Sequence, residues 1–176
     1  MFGPAAVDTP SRIPGWRRTF APAVCLLSLA MAGSACTRSA DVKDLRATEL
    51  TGGWYDGGIV DSKNKLVPNV TFRIEKPDNE PVQPVTLTIL FKRLVNGVEE
   101  EFEDVYLQRV EFSEGNRTSL LSVRPETGYT GDPPQSRAEM LQNSQFVDVR
   151  AIIFVRQGST WIELARLDLP RTLLTQ

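Results

Sequence analysis

Residues 50–170 predict an all-β fold, an antiparallel two-sheet sandwich of about seven strands with one short helix before the last hairpin. Three observations lead to this class. Apolar and polar residues alternate with a period of two in several segments, which is the pattern of half-buried strands. Residues that favour turns separate these segments, and a single segment carries a helix start signal. Short strands separated by turns indicate two packed antiparallel sheets.

The first predicted strand, residues 50–61, contains two glycine pairs that flank Trp54 and Tyr55. Glycine inside a strand indicates a bulge or a close approach of another backbone. Two interpretations of the aromatic pair stay open. Either Trp54 and Tyr55 form a platform on which a sugar stacks, or they cap the core of the sandwich, as large aromatic side chains commonly do.

The next two predicted strands, Leu66–Lys76 and Val85–Val95, alternate regularly. Asn96-Gly97 follows directly and is a strong hairpin signal, because both residues of that turn need a positive φ. The return strand is therefore predicted to begin at Val98. The residues predicted to face the core are Leu66, Val70, Phe72, Ile74, Val85, Leu87, Ile89, Phe91 and Val95.

An acidic run, residues 99–104, opens the return strand. Carboxylate oxygens suit calcium, but no loop with calcium-ligand spacing is present, and a charged strand edge that resists aggregation is the favoured interpretation. Two further short strands are predicted at residues 105–112 and 118–123. Residues 124–135 are predicted to be a loop, because they contain two glycines and a Pro-Pro pair.

The last part of the domain is predicted to be a helix followed by a hairpin. Ser136-Arg137-Ala138-Glu139 matches a capping box, which predicts a helix from Ser136 to Gln142. Strands are predicted at residues 146–156 and 161–169, with a one-residue bulge near Ala165–Arg166, where the inward parity changes. Residues 171–176 are predicted to be a C-terminal tail.

The outward face of the strand at 146–156 is unusually apolar. Contiguous exposed apolar patches tend to mark interfaces, so Phe146, Ile152 and Phe154 are candidate interface residues. The alternative, favoured from the sequence, is that Met140 and Leu141 of the helix fold back over this face. The outward set is Phe146, Asp148, Arg150, Ile152, Phe154 and Arg156.

The stretch Thr19–Cys36 carries no charge, follows Arg17-Arg18 and ends in small residues. A basic segment, an apolar run and a small-residue cleavage site are typical of an export signal peptide. The run is about as short as a bilayer-spanning helix can be, which favours cleavage over a stable anchor. Residues 1–36 are therefore predicted to be a signal peptide, and the polar segment 37–49 is predicted to be a flexible tether.

The end of this stretch, Ser34-Ala35-Cys36, resembles the lipobox of bacterial lipoproteins. The resemblance implies that Cys36 becomes the lipid-modified first residue of the mature protein, which would face the periplasm or the exterior. Gly33 departs from the aliphatic residue of that motif, so cleavage without lipid, which would give a soluble secreted protein, stays open. Trp16-Arg17-Arg18-Thr19-Phe20 also resembles the twin-arginine export signal, and the general export route is the alternative.

Composition excludes several functions. The sequence has no histidine, and its cysteines are Cys25 and Cys36, so the domain holds no internal disulfide, no zinc site of the Cys/His type and no His-dependent nucleophile. Neither a metal nor a cofactor is predicted. The whole chain has a net charge of −2 and residues 1–36 carry three Arg and one Asp, which leaves a net charge of −4 for the rest. Nucleic acid binding is not expected from an acidic domain.

The order of about seven strands between residues 50 and 170 resembles that of immunoglobulin-like and fibronectin-like domains, although no Cys-Trp-Cys signature is present. These features predict a non-catalytic envelope lipoprotein, which acts as an interaction or assembly module with a protein partner. The alternative is a glycan- or peptide-binding module that uses Trp54, Tyr55 and Tyr129, since binding residues concentrate on loops. An enzyme that uses two carboxylates is the least favoured class, because no pair of carboxylates stands out.

Overall fold

The computed structural model describes residues 42–78, 80–157 and 159–175. The predicted signal peptide, Cys36 and the start of the predicted tether lie outside these ranges. The described chain opens with a 3-10 turn, Val42–Asp44, and one α-helix, α1 (Arg137–Gln142), precedes the last two strands. Its eight strands are β1 (Arg46–Val60), β2 (Lys63–Glu75), β3 (Val85–Val95), β4 (Val98–Val110), β5 (Leu121–Val123), β6 (Tyr129–Gly131), β7 (Asp148–Gln157) and β8 (Thr160–Asp168).

The strands form two antiparallel sheets that pack together. Sheet I has the order β1-β2-β5, with β6 also paired to β2, and sheet II has the order β4-β3-β7-β8. The predicted all-β two-sheet sandwich is confirmed, with eight strands in the described residues in place of about seven. The short strand β6 lies inside residues 124–135, which were predicted to be loop throughout.

The core between the sheets is formed by the inward residues of the long strands. Each fully buried aliphatic or aromatic side chain contributes about 1.5–3 kcal/mol relative to exposure, so these residues dominate the stability of a domain without a disulfide. The predicted inward parity of β2, β3 and β7 is confirmed, except that Val95, at the end of β3, is only half-buried and lies outside the core cluster. The residues with at most 1% exposure include Leu66, Val70, Phe72, Ile74, Leu87, Ile89, Phe91, Val149, Ala151, Ile153 and Val155.

Close backbone approaches explain the glycines before Trp54. A methyl group at Gly53 would lie 2.7 Å from the carbonyl oxygen of Thr172, and one at Gly52 would lie 2.4 Å from Cδ2 of Leu169. The Leu169 methyl group could move, but the Asn69 carbonyl oxygen, 2.9 Å from the same position at Gly52, and the Thr172 carbonyl oxygen belong to the backbone and leave no room for a side chain. The register shift between Asp56 and Ile59 falls at the second glycine pair, as predicted, whereas the other shift in β1, between Thr48 and Thr51, comes before the first pair.

The folded domain begins earlier than the sequence indicates. β1 starts at Arg46, inside the segment 37–49 predicted to be a tether, and Val42 and Leu45 are each 5% exposed. The tether prediction is therefore wrong for residues 42–49. The reason is the 3-10 turn, which places residues three apart on the same side, so that both apolar side chains face the core.

The predicted tail at the other end is also part of the fold. The Trp54 N–H donates to the Thr172 carbonyl (2.9 Å), the Leu174 N–H donates to the Trp54 carbonyl (2.8 Å), and Leu173 forms a parallel bridge with Trp54. Residues 170–175, called the C-terminal segment below, thus lie along the edge of β1 that faces away from β2. The tail prediction is wrong for these residues, because a strand edge offers unpaired backbone groups that a neighbouring segment satisfies.

The hairpin between β3 and β4 forms as predicted, with φ values of 52° at Asn96 and 80° at Gly97. The predicted division of the return strand at Val105 is wrong, since β4 runs without a break to Val110. No turn residue interrupts that stretch. A bulge opposite Phe91 and Lys92 changes which residues of β4 face inward without ending the strand.

The capping box of α1 forms as predicted. The Glu139 N–H donates to the Ser136 hydroxyl (3.3 Å), and the Ser136 N–H donates to the Glu139 carboxylate (2.6 Å). The hairpin of β7 and β8 carries the predicted bulge one residue earlier than expected. Ile153 lies opposite Ala165 and Phe154 lies opposite Glu163, which leaves the residue between those two partners as the extra one.

Candidate functional site

Trp54, one of the three aromatic residues predicted to bind a ligand, is completely buried. Its ring centroid lies 4.7 Å from that of Phe146 and 5.5 Å from that of Tyr129. A ring without accessible surface cannot stack on a sugar. The interpretation of Trp54 as a cap of the core is therefore supported, and its interpretation as a platform is wrong.

Tyr129 belongs to the same aromatic cluster. Its ring centroid lies 5.0 Å from that of Phe146 and 5.6 Å from that of Phe102. Burial raises the pKa of the Tyr129 phenol, and the hydroxyl has no hydrogen-bond partner within the described part of the chain. The cavity beside this ring measures about 150 Å³, below the roughly 300 Å³ at which small-molecule sites begin.

Tyr55 lies apart from the other two aromatic residues, at a depression of about 500 Å³ that Asp56 and Glu126 also line. The guanidinium carbon of Arg124 lies 5.2 Å from the centroid of the Tyr55 ring, which is a cation–π distance. One face of this ring is therefore already occupied. The structure does not bring Trp54, Tyr55 and Tyr129 together at one accessible site.

The outer face of sheet II contains two of the three candidate interface residues. Ile152 lies opposite Leu90 of β3, and Phe154 lies opposite Thr88. Phe146 does not belong to this face, because β7 begins only at Asp148 and the alternation of sides does not extend back to it. Its ring packs in the aromatic cluster, so its assignment to the interface is wrong.

The helix does not cover this face. Met140 and Leu141 are each 4% exposed and belong to the core cluster, which contains neither Ile152 nor Phe154. The expectation that they fold back over β7 is therefore wrong. A methyl group at Gly131 of β6 would lie 2.9 Å from the Met140 sulfur, which shows that the helix packs against sheet I.

An aromatic cleft of about 390 Å³ opens on the outer face of sheet II. Tyr106 on β4 and Trp161 on β8 lie on opposite edge strands, yet their ring centroids are only 6.1 Å apart, in an edge-to-face arrangement at 74°. The two rings therefore lean toward each other over the central strands. They are among the most exposed aromatic side chains described, at 47% for Tyr106 and 39% for Trp161. The cleft is lined by Thr88, Leu90, Tyr106, Phe154 and Trp161.

A network of ion pairs borders the cleft on one side. Arg150 of β7 donates to Glu99 of β4 (2.6 Å) and to Asp168 of β8 (2.9 Å), so it connects both edges of sheet II. The hydrogen bonds that Arg150 donates to Asp168 and Glu99 raise the pKa of Arg150, and the same bond lowers the pKa of Asp168. Arg166 lies opposite Ile152 and pairs with Glu163 at 2.9 Å. The apolar part of the face thus ends at a row of paired charges.

Three carboxylates of the acidic run of β4, including Glu99, make contacts within the domain. Glu100 pairs with Arg93 (3.1 Å), and Glu103 accepts hydrogen bonds from the Glu126 and Thr127 N–H groups at 2.8 Å each. Among the described residues, no group of three or more carboxylate, histidine or cysteine side chains could hold a metal ion. β4 lies at the edge of sheet II, as the charged-edge interpretation expects.

Four members of the cleft were missed by sequence reasoning: Thr88, Leu90, Tyr106 and Trp161. A signal was present, because Val105 and Leu107 flank Tyr106 and face inward. Parity alone therefore places Tyr106 on the outer face. What the parity of single strands does not give is the order β4-β3-β7-β8, which brings the two edge aromatics over the same central residues.

Cys36, the predicted lipidation site, lies outside the described residues. The helices of the described ranges include none with the length and apolar character needed to cross a membrane. No protein-family model matches the chain, and comparisons with curated proteins and with solved structures gave no match.

Proposed function

We propose that this chain is a non-catalytic bacterial envelope lipoprotein, which binds a partner protein through the aromatic cleft of its sandwich domain. The observation that carries the proposal is the exposure of Tyr106 and Trp161 above an apolar floor, on a face that the one helix of residues 42–175 does not cover. Tyrosine and tryptophan lose little conformational entropy on binding and are enriched among the residues that dominate binding energy.

The arrangement around the cleft suits a protein surface better than a small ligand. Leu90 and Phe154 form the apolar base of the cleft, and the ion pairs of Arg150 and Arg166 form a polar border. An apolar centre with a polar rim is the usual anatomy of a protein interface. A partner would pack an apolar side chain into the cleft against the paired rings and meet the paired charges at its margin.

The order of strands supports an immunoglobulin-like assignment. Sheet I runs β1-β2-β5 and sheet II runs β8-β7-β3-β4, which corresponds to strands A-B-E and G-F-C-C′ of such a sandwich. In that correspondence the cleft lies on the face of the G-F-C-C′ sheet. The domain lacks the disulfide between strands B and F, because neither of its cysteines falls inside the sandwich.

Lipidation of Cys36 is the part of the proposal that sets the location, and it rests on the lipobox-like residues 34–36. The rest of the chain carries a net charge of −4, so anionic lipid head groups offer it no attraction. Cys36→Ser should therefore release the protein from the membrane fraction. Fractionation and the intact mass of the mature protein check this. A wild-type protein that is soluble and has no acyl chains would favour the secreted alternative.

The cleft is tested with the double variant Tyr106→Ser, Trp161→Ser and a photo-crosslinking residue at Thr88. Both replaced side chains lie at the surface, outside the core between the sheets, so the melting temperature should change little, whereas crosslinking to the partner in intact cells should fall at least tenfold. Ile59→Ser is the matched control, because Ile59 is 71% exposed and lies on sheet I, far in sequence from the cleft strands.

Equal crosslinking in the double variant and in the control would contradict the cleft as the binding surface. A glycan array on the same proteins separates the alternative function. Specific glycan binding that survives Tyr106→Ser, Trp161→Ser and is lost in Tyr55→Ala would favour the glycan-binding module.

A further inference from the structure

The C-terminal segment occupies the outer edge of β1 as a short added strand. Two backbone hydrogen bonds join it to Trp54, one accepted by Thr172 (2.9 Å) and one donated by Leu174 (2.8 Å). The parallel bridge between Trp54 and Leu173 gives the direction of the added strand. Strand addition to a sheet edge is a common way in which proteins bind extended segments.

The edge of β1 is shaped for this occupant. Gly53 leaves room for the Thr172 carbonyl, since a methyl group there would lie only 2.7 Å from the carbonyl oxygen and 2.9 Å from Leu174 Cδ2. The Arg171 guanidinium forms two bonds to the carboxylate of Asp148, at 2.7 and 3.1 Å. The space for the Thr172 carbonyl, the contact with Leu174 and the Arg171–Asp148 pair together form a recognition site. It suits an extended segment in which Leu follows Arg three residues later.

A sharp boundary separates this segment from the rest of β8. Leu169 is 4% exposed, and its N–H donates to the Val149 carbonyl (2.9 Å), so it is anchored in sheet II. Pro170 is exposed, and the next turn is closed by a hydrogen bond from the Thr172 N–H to the Pro170 carbonyl (2.7 Å). Opening this one turn would direct residues 171–175 away from the β1 edge of their own chain.

We propose that the outer edge of β1 is a strand-acceptor site, which takes residues 171–175 from a second copy of this chain and so forms a strand-exchanged dimer. Exchange recreates the same hydrogen bonds and the same Arg171–Asp148 pair between copies, and only the turn at Pro170 changes. Exchange of an identical element is a low-cost route to a two-fold dimer. This site lies on sheet I and does not depend on the aromatic cleft or on lipidation.

The test uses two full-length chains with opposite charge changes, Asp148→Arg and Arg171→Asp. Alone, each chain has charges of the same sign at positions 148 and 171. These charges repel whether the segment lies on its own β1 or on the β1 of an identical copy. In the mixture, exchange restores opposite charges at both acceptor sites. Both chains carry Cys25→Ser and Cys36→Ser to prevent disulfides, and a mild detergent keeps the apolar leader from associating. Light scattering should give the monomer mass for each chain alone and twice that mass for the mixture.

Hydrogen exchange at the Trp54 amide is the second measurement. Protection of this amide should fall at least tenfold in each single variant and return in the mixture. The chain with both changes, Asp148→Arg, Arg171→Asp, is the matched control. Opposite charges meet at its acceptor site as they do in the wild type, so both chains should have the dimer mass and a protected Trp54 amide, and a wild type at the monomer mass would contradict the proposal. A mixture that stays at the monomer mass, or single variants that keep full protection at Trp54, would overturn the proposal.

Discussion

Thr118 shows how one side chain can replace a missing strand. β5 pairs with β2 only from Val70 to Phe72, so the outer hydrogen-bonding groups of Ile74 lie beyond its end. Thr118 takes both of them: its hydroxyl accepts from the Ile74 N–H (3.0 Å), and its own N–H donates to the Ile74 carbonyl (3.0 Å). Because Thr118 has no exposed surface, water cannot substitute for its hydroxyl.

We therefore expect Thr118→Val to destabilise the domain by about 1–3 kcal/mol, since it leaves the buried Ile74 N–H without an acceptor while keeping the side-chain shape. Thr118→Ser keeps the hydroxyl and loses one methyl group, which costs about 1 kcal/mol. Urea unfolding of both variants measures the difference. A valine variant as stable as the serine variant would show that the hydroxyl is not needed at this position.

The limits of prediction at the residue scale are clearest at the aromatic residues. The alternation around Trp54 is the same for a buried and for an exposed ring, so the sequence left both interpretations open. The Trp54 ring is buried against Phe146 and Tyr129, which are about 90 and 75 residues away in the chain. No local pattern contains that information.

At the scale of elements, local signals were enough wherever a single segment determines its own structure. The Asn96-Gly97 turn, the Ser136 capping box and the inward parity of β2 and β3 follow from neighbouring residues. The elements that the sequence missed depend on distant partners. β6 has three residues and exists because Leu66 of β2 pairs with Tyr129, and the C-terminal segment is ordered by the edge of β1.

The candidate site also contains some residues that a single strand predicts and others that only the order of strands brings together. Ile152 and Phe154 were found from the parity of one strand, and both lie on the outer face of sheet II. Ile152 is nevertheless 4% exposed, because neighbours on its own sheet surround it, and this leaves Phe154 as the accessible member. The exposed rings of the cleft come from β4 and β8, and only the order of strands makes them neighbours.

The whole molecule is held by an apolar core and by many ion pairs on its surface, and these two contributions respond differently to acid. Several carboxylates have lowered pKa values through hydrogen bonds from a cation. Arg150 acts on Asp168, Arg166 acts on Glu163, and Arg73 acts on Glu49. The sequence contains no histidine, so no side chain has an ordinary pKa near 6.5.

We therefore expect the free energy of unfolding to stay nearly constant between about pH 6 and pH 8, and to fall below about pH 5. A carboxyl group whose pKa is lower in the folded state stabilises that state above its unfolded pKa, which is roughly 4 for Asp and Glu. This stabilisation is lost as the pH falls from the unfolded values through the lowered folded values, because in that range the unfolded chain binds protons that the folded carboxylates do not. Urea unfolding at a series of pH values measures the effect.

Asp168→Asn provides the control for this mechanism. The amide cannot ionise, so the variant should be less stable than the wild type at neutral pH and should lose less stability on acidification, which brings the two curves together as the pH falls through the lowered pKa of Asp168. High salt should shrink the difference at neutral pH, because Asp168 is 59% exposed and its attraction to Arg150 is screened. If the curves of wild type and variant stay parallel throughout acidification, the acid sensitivity arises from groups other than the Arg150–Asp168 pair.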